Sequence, residues 1–246
     1  MNSLYHTEHL ANVSALIKVS RQVSPLLDEI AKPTCIIEAD RDSCEQIATL
    51  YRFWQTHFPE AGRIYWQTRT WTMLIWQPVT LALITTYYTD SVPKLSSMQQ
   101  ALNTETGTVG NFAFPVENWQ RGDQHQRLLL AAKELTSLLD KLSVQASKVF
   151  RLSLATTEKL LADTLMEMLL RGLKYMVASN LLAEDRLQAV YTHELEHWQQ
   201  ALSLFKKRFG WLDIDNQGEH FVQRQSCCMH YKRKDGEFCQ GCPQDK

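Results

Sequence analysis

Glycine is scarce in this chain, with nine residues in 246. No G-x-G-x-x-G follows a strand-like run and no G-x-x-x-x-G-K-[ST] occurs, so the sequence offers no recognisable backbone cradle for a dinucleotide or a nucleoside triphosphate. Any redox chemistry would therefore draw its electrons from a partner, not from a flavin or nicotinamide domain within the chain. Long apolar runs are also missing. Nowhere do eighteen or more apolar residues follow one another, and the stretch "MNSLYHTEHLANVSALIKVS" has no basic segment leading into an apolar one, so no membrane span and a cytoplasmic location are expected. Neither charge is in surplus. Lys and Arg number 26 against 27 Asp and Glu, which excludes a global field for nucleic acid or an anionic membrane.

What the chain does have is a cluster of thiols. Four of its six cysteines fall within "RQSCCMHYKRKDGEFCQGCP", residues 224–243. A chain of this length buries a core without disulfides, and in a reducing compartment clustered cysteines bind metal or do redox chemistry more often than they form bridges.

The rest reads as mainly α with a small β element, an α+β protein. Leu128, Ala131, Ala132, Leu135, Leu138, Leu139, Leu142, Ala146 and Val149 follow three- and four-residue steps from about residue 120. A second stripe runs through Leu161, Leu165, Met168, Gly172 and Met176. A third runs through Leu187, Tyr191, Leu195, Trp198, Leu202 and Phe205, ending near Gly210. Asp42 or Ser43 is placed to cap a helix through "CEQIATLYRFWQTHF", and "RIYWQTRTWTMLIWQPVTLALITTYY" reads as another, interrupted or kinked at Pro78. Trp54, Trp66, Trp71 and Trp76 in these helices offer a ligand-binding face, although large aromatics in an apolar helix are more often core, and core is the expectation. Residues 91–123 read as loops around a strand or hairpin, "TVGNFAFPV". The domain reading is a mainly helical body over 1–220, with a short hairpin near 95–118, and a C-terminal cysteine segment over 221–246 packed on the same globule.

Cys227, Cys228, Cys239 and Cys242 form C-C-x10-C-x2-C, and four thiolates are the full ligand set of either a structural zinc or a small iron–sulfur cluster. In C-x2-C a tight turn brings both sulfurs to one metal, and Gly241 suits that turn. Neighbouring residues in extended backbone point apart, so the Cys227–Cys228 pair disfavours a zinc knuckle. Chemistry alone leaves zinc and iron–sulfur both open. Cys35 and Cys44 lie far upstream and read as free thiols.

Arg224, Cys227, Cys228 and Tyr231, followed by Cys239, Cys242 and Pro243, give R-x-x-C-C-x-x-Y and C-x2-C-P. This pattern resembles the C-terminal signature of the FhuF-like siderophore ferric iron reductases. The resemblance implies a [2Fe–2S] cluster on the four cysteines. It also implies one-electron reduction of a cytoplasmic Fe(III)-siderophore, a hydroxamate favoured, with release of Fe(II). Electrons would come from a ferredoxin-like protein or an NAD(P)H-dependent donor. Hard anionic oxygens suit Fe(III), so lowering the metal's charge loosens their hold. Arg224, Lys232, Arg233 and Lys234 surround the cysteine loop and are candidates for docking substrate or donor. Tyr231 is read as shaping the loop. Lys206, Lys207 and Arg208 are read as favourable charges at a helix C-terminus. The alternatives are a non-enzymatic zinc-binding module and an iron–sulfur redox sensor.

One motif competes. Residues 193–197 read "HELEH", the H-E-x-x-H of zinc peptidases. Gln200 and Ser203 break the longer metzincin pattern, although Glu219 is available downstream as a third ligand. At about 100° per residue His193 and His197 lie nearly opposite the stripe through Tyr191, Leu195, Trp198 and Leu202. They are expected to face away from the core, without the walled cleft a peptidase needs.

Overall fold

The computed structural model describes residues 2–31, 35–116, 118–204 and 208–245. Helices dominate, joined by small antiparallel sheets. The described α-helices are α1 (Asn2–Val23), α2 (Cys44–His57), α3 (Gly62–Tyr87), α4 (Gln124–Ser147), α5 (Leu154–Ala178) and α6 (Leu187–Ala201). None is long and apolar enough to cross a membrane. The chain divides into two compact units, one of Met1–Phe53 with Met73–Phe150 and one of Trp54–Thr72 with Arg151–Lys246.

In the first unit, β1 (Ile36–Glu38), β3 (Gln99–Asn103) and β4 (Thr108–Ala113) form a sheet in the order β1-β3-β4, while β2 (Ser91–Pro93) pairs with β5 (Trp119–Arg121). The β3–β4 pair is the hairpin expected near 95–118. Helix α4 opens on a capping box: the Asp123 carboxylate accepts the Gln126 amide at 2.8 Å, and Gln126 accepts the Asp123 amide at 3.0 Å. It buries the expected stripe from Leu128 to Ala146, whereas Val149 lies beyond the helix end. One polar member of that face was not foreseen. Buried Gln145 donates to the Ala39 and Arg41 carbonyls at 3.0 and 2.8 Å and accepts the Ser43 amide at 2.7 Å, pinning the start of α2.

Pro78 does not interrupt α3, which is continuous from Gly62 to Tyr87. The ring removes one backbone donor, and the cost is absorbed in a helix whose middle is almost wholly buried. Trp54 and Trp71 are buried, as expected of core. Trp66 and Trp76 are half-buried, each indole N–H bonded to a carbonyl, that of Phe58 and that of Val109, both at 2.8 Å.

The second unit holds α5, α6 and the hairpin of β6 (Trp211–Ile214) and β7 (His220–Gln223), which periodicity did not reveal. Its residues lie on both sides of position 220, where the sequence reading divides body from cysteine segment. Ser153 caps α5. Leu161 and Leu165 are buried, but Met168, Gly172 and Met176 are only half-buried; the deepest burial runs over 160–166 and includes Asp163. Helix α6 buries Leu187, Tyr191, Leu195 and Trp198 and ends at Ala201, well short of Gly210. Ser203 ends it by taking a left-handed φ of 52°, the position glycine usually fills. Arg208 is no helix-terminal charge but an ion-pair partner of Glu158 at 2.7 Å. Phe205, Lys206 and Lys207 lie outside the described residues.

Candidate metal centre

Strand β7 delivers the chain to Arg224, whose amide donates to the Gly241 carbonyl at 3.0 Å, so the two cysteine-bearing arms run side by side. Gly241 has φ +69°, and a Cβ there would stand 2.0 Å from the Val222 carbonyl oxygen. Both the backbone angle and the close approach demand glycine. The Cys242 amide donates to the Cys239 carbonyl at 3.0 Å, closing the C-x2-C turn.

The adjacent cysteines have the special local conformation that their spacing requires. Met229, the residue after them, is left-handed at φ 58°, and its amide points back to Cys227 Sγ at 3.3 Å. A short 3-10 turn over His230–Lys232 follows. The four sulfurs then fall into two pairs, each drawing one member from each arm. Cys227 Sγ lies 3.9 Å from Cys242 Sγ, and Cys228 Sγ lies 3.7 Å from Cys239 Sγ.

Beneath the loop, α5 supplies a buried carboxylate. Asp163 accepts the Gln225 amide at 3.0 Å, the Ser226 amide at 2.8 Å and the Ser226 hydroxyl. Burial pushes the Asp163 carboxyl up from its ordinary value, and these three donors pull it back. Glu167, one turn on, is likewise pushed up by burial and lies 3.8 Å from Arg224 Nε. Arg224 donates to Cys239 Sγ through Nη2, while its Nε is buried without a hydrogen-bond partner. Burial opposes that guanidinium's charge, yet Cys239, Cys228 and the two carboxylates favour it and raise its pKa overall.

On another side stands an aromatic wall. Arg233 lies 4.0 Å over the Phe58 ring and chelates Asp235 at 2.9 and 2.6 Å, and the Lys234 amide donates to Glu60 at 3.2 Å. Trp54, Phe58 and Tyr65 pack together with centroids about 6 Å apart, and Arg69 covers Trp54 at 5.1 Å. Burial lowers the Arg69 pKa, and this cation feels the charge of Cys228. Tyr231 stacks on Phe238 at 4.7 Å within the loop. Of the cations singled out in the sequence, Lys232 and Lys234 are exposed, whereas Arg224 and Arg233 are half-buried and engaged.

The thiols are strongly differentiated. Cys228 is held down to about 5, chiefly by the hydrogen bond from the Cys239 thiol, with the His230 amide and Arg224 acting the same way against burial. Cys239 holds its proton well above the ordinary range because it donates to Cys228, and burial pushes Cys227 up to about 11.

Residues 224–244 match the family model described as FhuF 2Fe-2S C-terminal domain. This segment is similar to the FhuF-type 2Fe–2S domain. No solved structure matches the chain. The sulfur geometry fits the group that the family description names. Two thiolates bound at about 2.3 Å to one tetrahedral metal stand roughly 3.8 Å apart, which is the separation within each pair. A single zinc would need all four at that mutual distance. Among the described residues, however, no three of the sulfurs lie mutually within 4.8 Å. Two pairs suit two metals, and the FhuF-type domain accordingly carries a [2Fe–2S] cluster.

Sequence reading missed Asp163, Glu167, Phe58, Tyr65 and Arg69. Asp163 and Glu167 did carry a signal: two carboxylates one turn apart inside "LLADTLMEMLL", an otherwise largely apolar stretch of α5.

Proposed function

We propose that this protein is a ferric-siderophore reductase that passes single electrons to a cytoplasmic Fe(III)-siderophore and so releases Fe(II). The pairing of four sulfurs in an FhuF-type domain is the observation that carries the reading. Cys227 with Cys242 would hold one iron and Cys228 with Cys239 the other. A [2Fe–2S] cluster held there would supply single electrons, replaced by a ferredoxin-like protein or an NAD(P)H-dependent reductase, and would turn chelated Fe(III) into Fe(II) with no bond within the chelator broken.

The chain's residues set the conditions for that transfer. Arg224 at Cys239 and Arg69 beside Cys228 place positive charge against the thiolates, which favours the more negative, reduced state. Asp163 fixes the backbone immediately before Cys227, holding the first arm in place. Cys227, Cys228 and Cys239 are half-exposed while Cys242 is buried, so a bulky ferric complex would approach from the side of the first three. Lys232 and Lys234 are the exposed cations there and supply docking charge for hydroxamate oxygens or for an acidic donor, with Arg233 and Arg224 acting from the loop's inner side.

The test is single turnover. Anaerobically reduced protein mixed with a ferric hydroxamate should regain its oxidised visible spectrum while a ferrous chelator captures one Fe(II) per oxidised cluster. Cys239→Ser should lose both signals. Re-oxidation by air without any reaction with ferric hydroxamates or catecholates would favour a redox sensor, and a colourless protein with stoichiometric zinc would favour a binding module.

A further inference from the structure

Helix α6 carries a second set of metal-ligating side chains, separate from the cysteines. The donor atoms of His193, Glu194 and His197 all lie within 4.8 Å of one another, and the two imidazole rings stand with centroids 4.3 Å apart at 76°. The placement follows from helical pitch. His193 and His197 are one turn apart and 40° apart around the axis, with Glu194 on the flank, while Leu187, Tyr191, Leu195 and Trp198 take the buried opposite side. His193 is exposed, and the other two are half-buried.

We propose that His193, Glu194 and His197 form a binding site for a divalent first-row transition-metal ion. Two imidazole nitrogens and one carboxylate oxygen are a borderline donor set, which suits Zn(II), Ni(II), Cu(II) or Fe(II) and not the oxygen-seeking Mg(II) or Ca(II). Nitrogen ligands bind at about 2.0–2.1 Å, so neighbouring donors on one metal stand roughly 3 Å apart. The three donor atoms, already within 4.8 Å of one another on one helix, need only a small closure to reach that spacing. Along the helix Glu196 adds a second carboxylate, and in the sequence no Lys or Arg occurs between Arg186 and Lys206. Three protein donors leave the remaining positions to water. On the outer face of a helix this makes an open binding site and not a peptidase cleft.

The site does not depend on the proposed reduction and is testable apart from it. Oxidised, cluster-loaded protein is dialysed against zinc chloride, and bound zinc is measured while the visible absorption of the cluster is followed to show that the cysteines keep their iron. One zinc per chain is expected. His193→Gln with His197→Gln should abolish it, and Glu194→Gln should weaken binding at least about tenfold, because even outer-shell partners of a metal cost that much. Glutamine preserves helix propensity, and unchanged circular dichroism of the variants verifies the fold. An independent readout is Cu(II) paramagnetic resonance on the oxidised protein, which should show nitrogen couplings from two imidazoles that vanish in the double variant. No zinc uptake with the cluster intact, or uptake and couplings unchanged in the double variant, would overturn the assignment.

Discussion

Asp163 on α5 grips Ser226, the residue before the cysteine pair, through both its backbone amide and its hydroxyl. The bond joins a helix deep in the second unit to a loop with almost no core of its own. Replacing Asp163 with Asn keeps the shape but removes the charge and sets an amide N–H₂ against backbone donors. A loss of about 1–3 kcal/mol is expected, the cost of leaving such buried donors unsatisfied. Thermal unfolding should show the drop, and cluster absorption should decay faster under a chelator.

Gly241 and Gly218 offer a matched comparison, since both have positive φ. A methyl at Gly241 meets the Val222 carbonyl, whereas one at Gly218 meets nothing within 4 Å. Gly218→Ala should cost only about 1 kcal/mol of backbone strain. Gly241→Ala adds a backbone clash to that strain and should yield protein with little visible absorption. Equal iron content in the two purified variants would show that the arms tolerate separation.

The two sulfur pairs make a spectroscopic prediction. Serine at Cys227 or Cys242 should alter the same iron, and serine at Cys228 or Cys239 the other. Mössbauer spectra of the four reduced variants, wherever a cluster is retained, are therefore expected to sort 227 with 242 and 228 with 239. Sorting by adjacency, 227 with 228, would refute the pairing.

Arg224 donates to a cysteine sulfur and carries a buried positive charge beside it, both of which favour the reduced state. Arg224→Gln should lower the midpoint potential, and Arg224→Lys, which keeps the charge but not the planar fork, should lower it less. A dithionite titration followed by paramagnetic resonance measures both.

Lys232 and Lys234 are exposed, and their joint replacement by Ala should leave unfolding unchanged. The second-order rate with an anionic ferric complex or an acidic donor should fall several-fold at low salt, and the difference should fade at high salt as screening removes steering. An unchanged rate with both reactants would dismiss this loop as the docking surface.

The sequence showed the parts that depend on local pattern. The α4 and α6 stripes, the hairpin near residue 108 and the four cysteines were legible because periodicity, turn residues and ligand spacing each leave a mark along the chain. What was hidden depends on contacts distant in sequence. Gln145 reads as one more polar residue until it meets Ala39, Arg41 and Ser43, and Arg208 reads as a helix-end charge until Glu158 appears, 50 positions earlier. The β6–β7 hairpin escaped because its strands are four residues each and bury a single side chain, Val222, so they lack strong alternation. Pro78 does not interrupt α3 because a single missing donor is weighed against a helix whose middle is almost wholly buried.

Within residues 224–245 Cys242 alone is buried. A segment of that length without an apolar interior relies on polar anchors such as Asp163 and Glu60, and metal bound by the sulfur pairs would further tie one arm to the other across nested rings. A cluster held there would be structural mortar as well as an electron carrier. The folded population of this segment should then follow mass action, rising with iron and sulfide supply and falling with chelation. At low iron supply this segment should consequently stand open to proteases, and the abundance of the chain should fall with it.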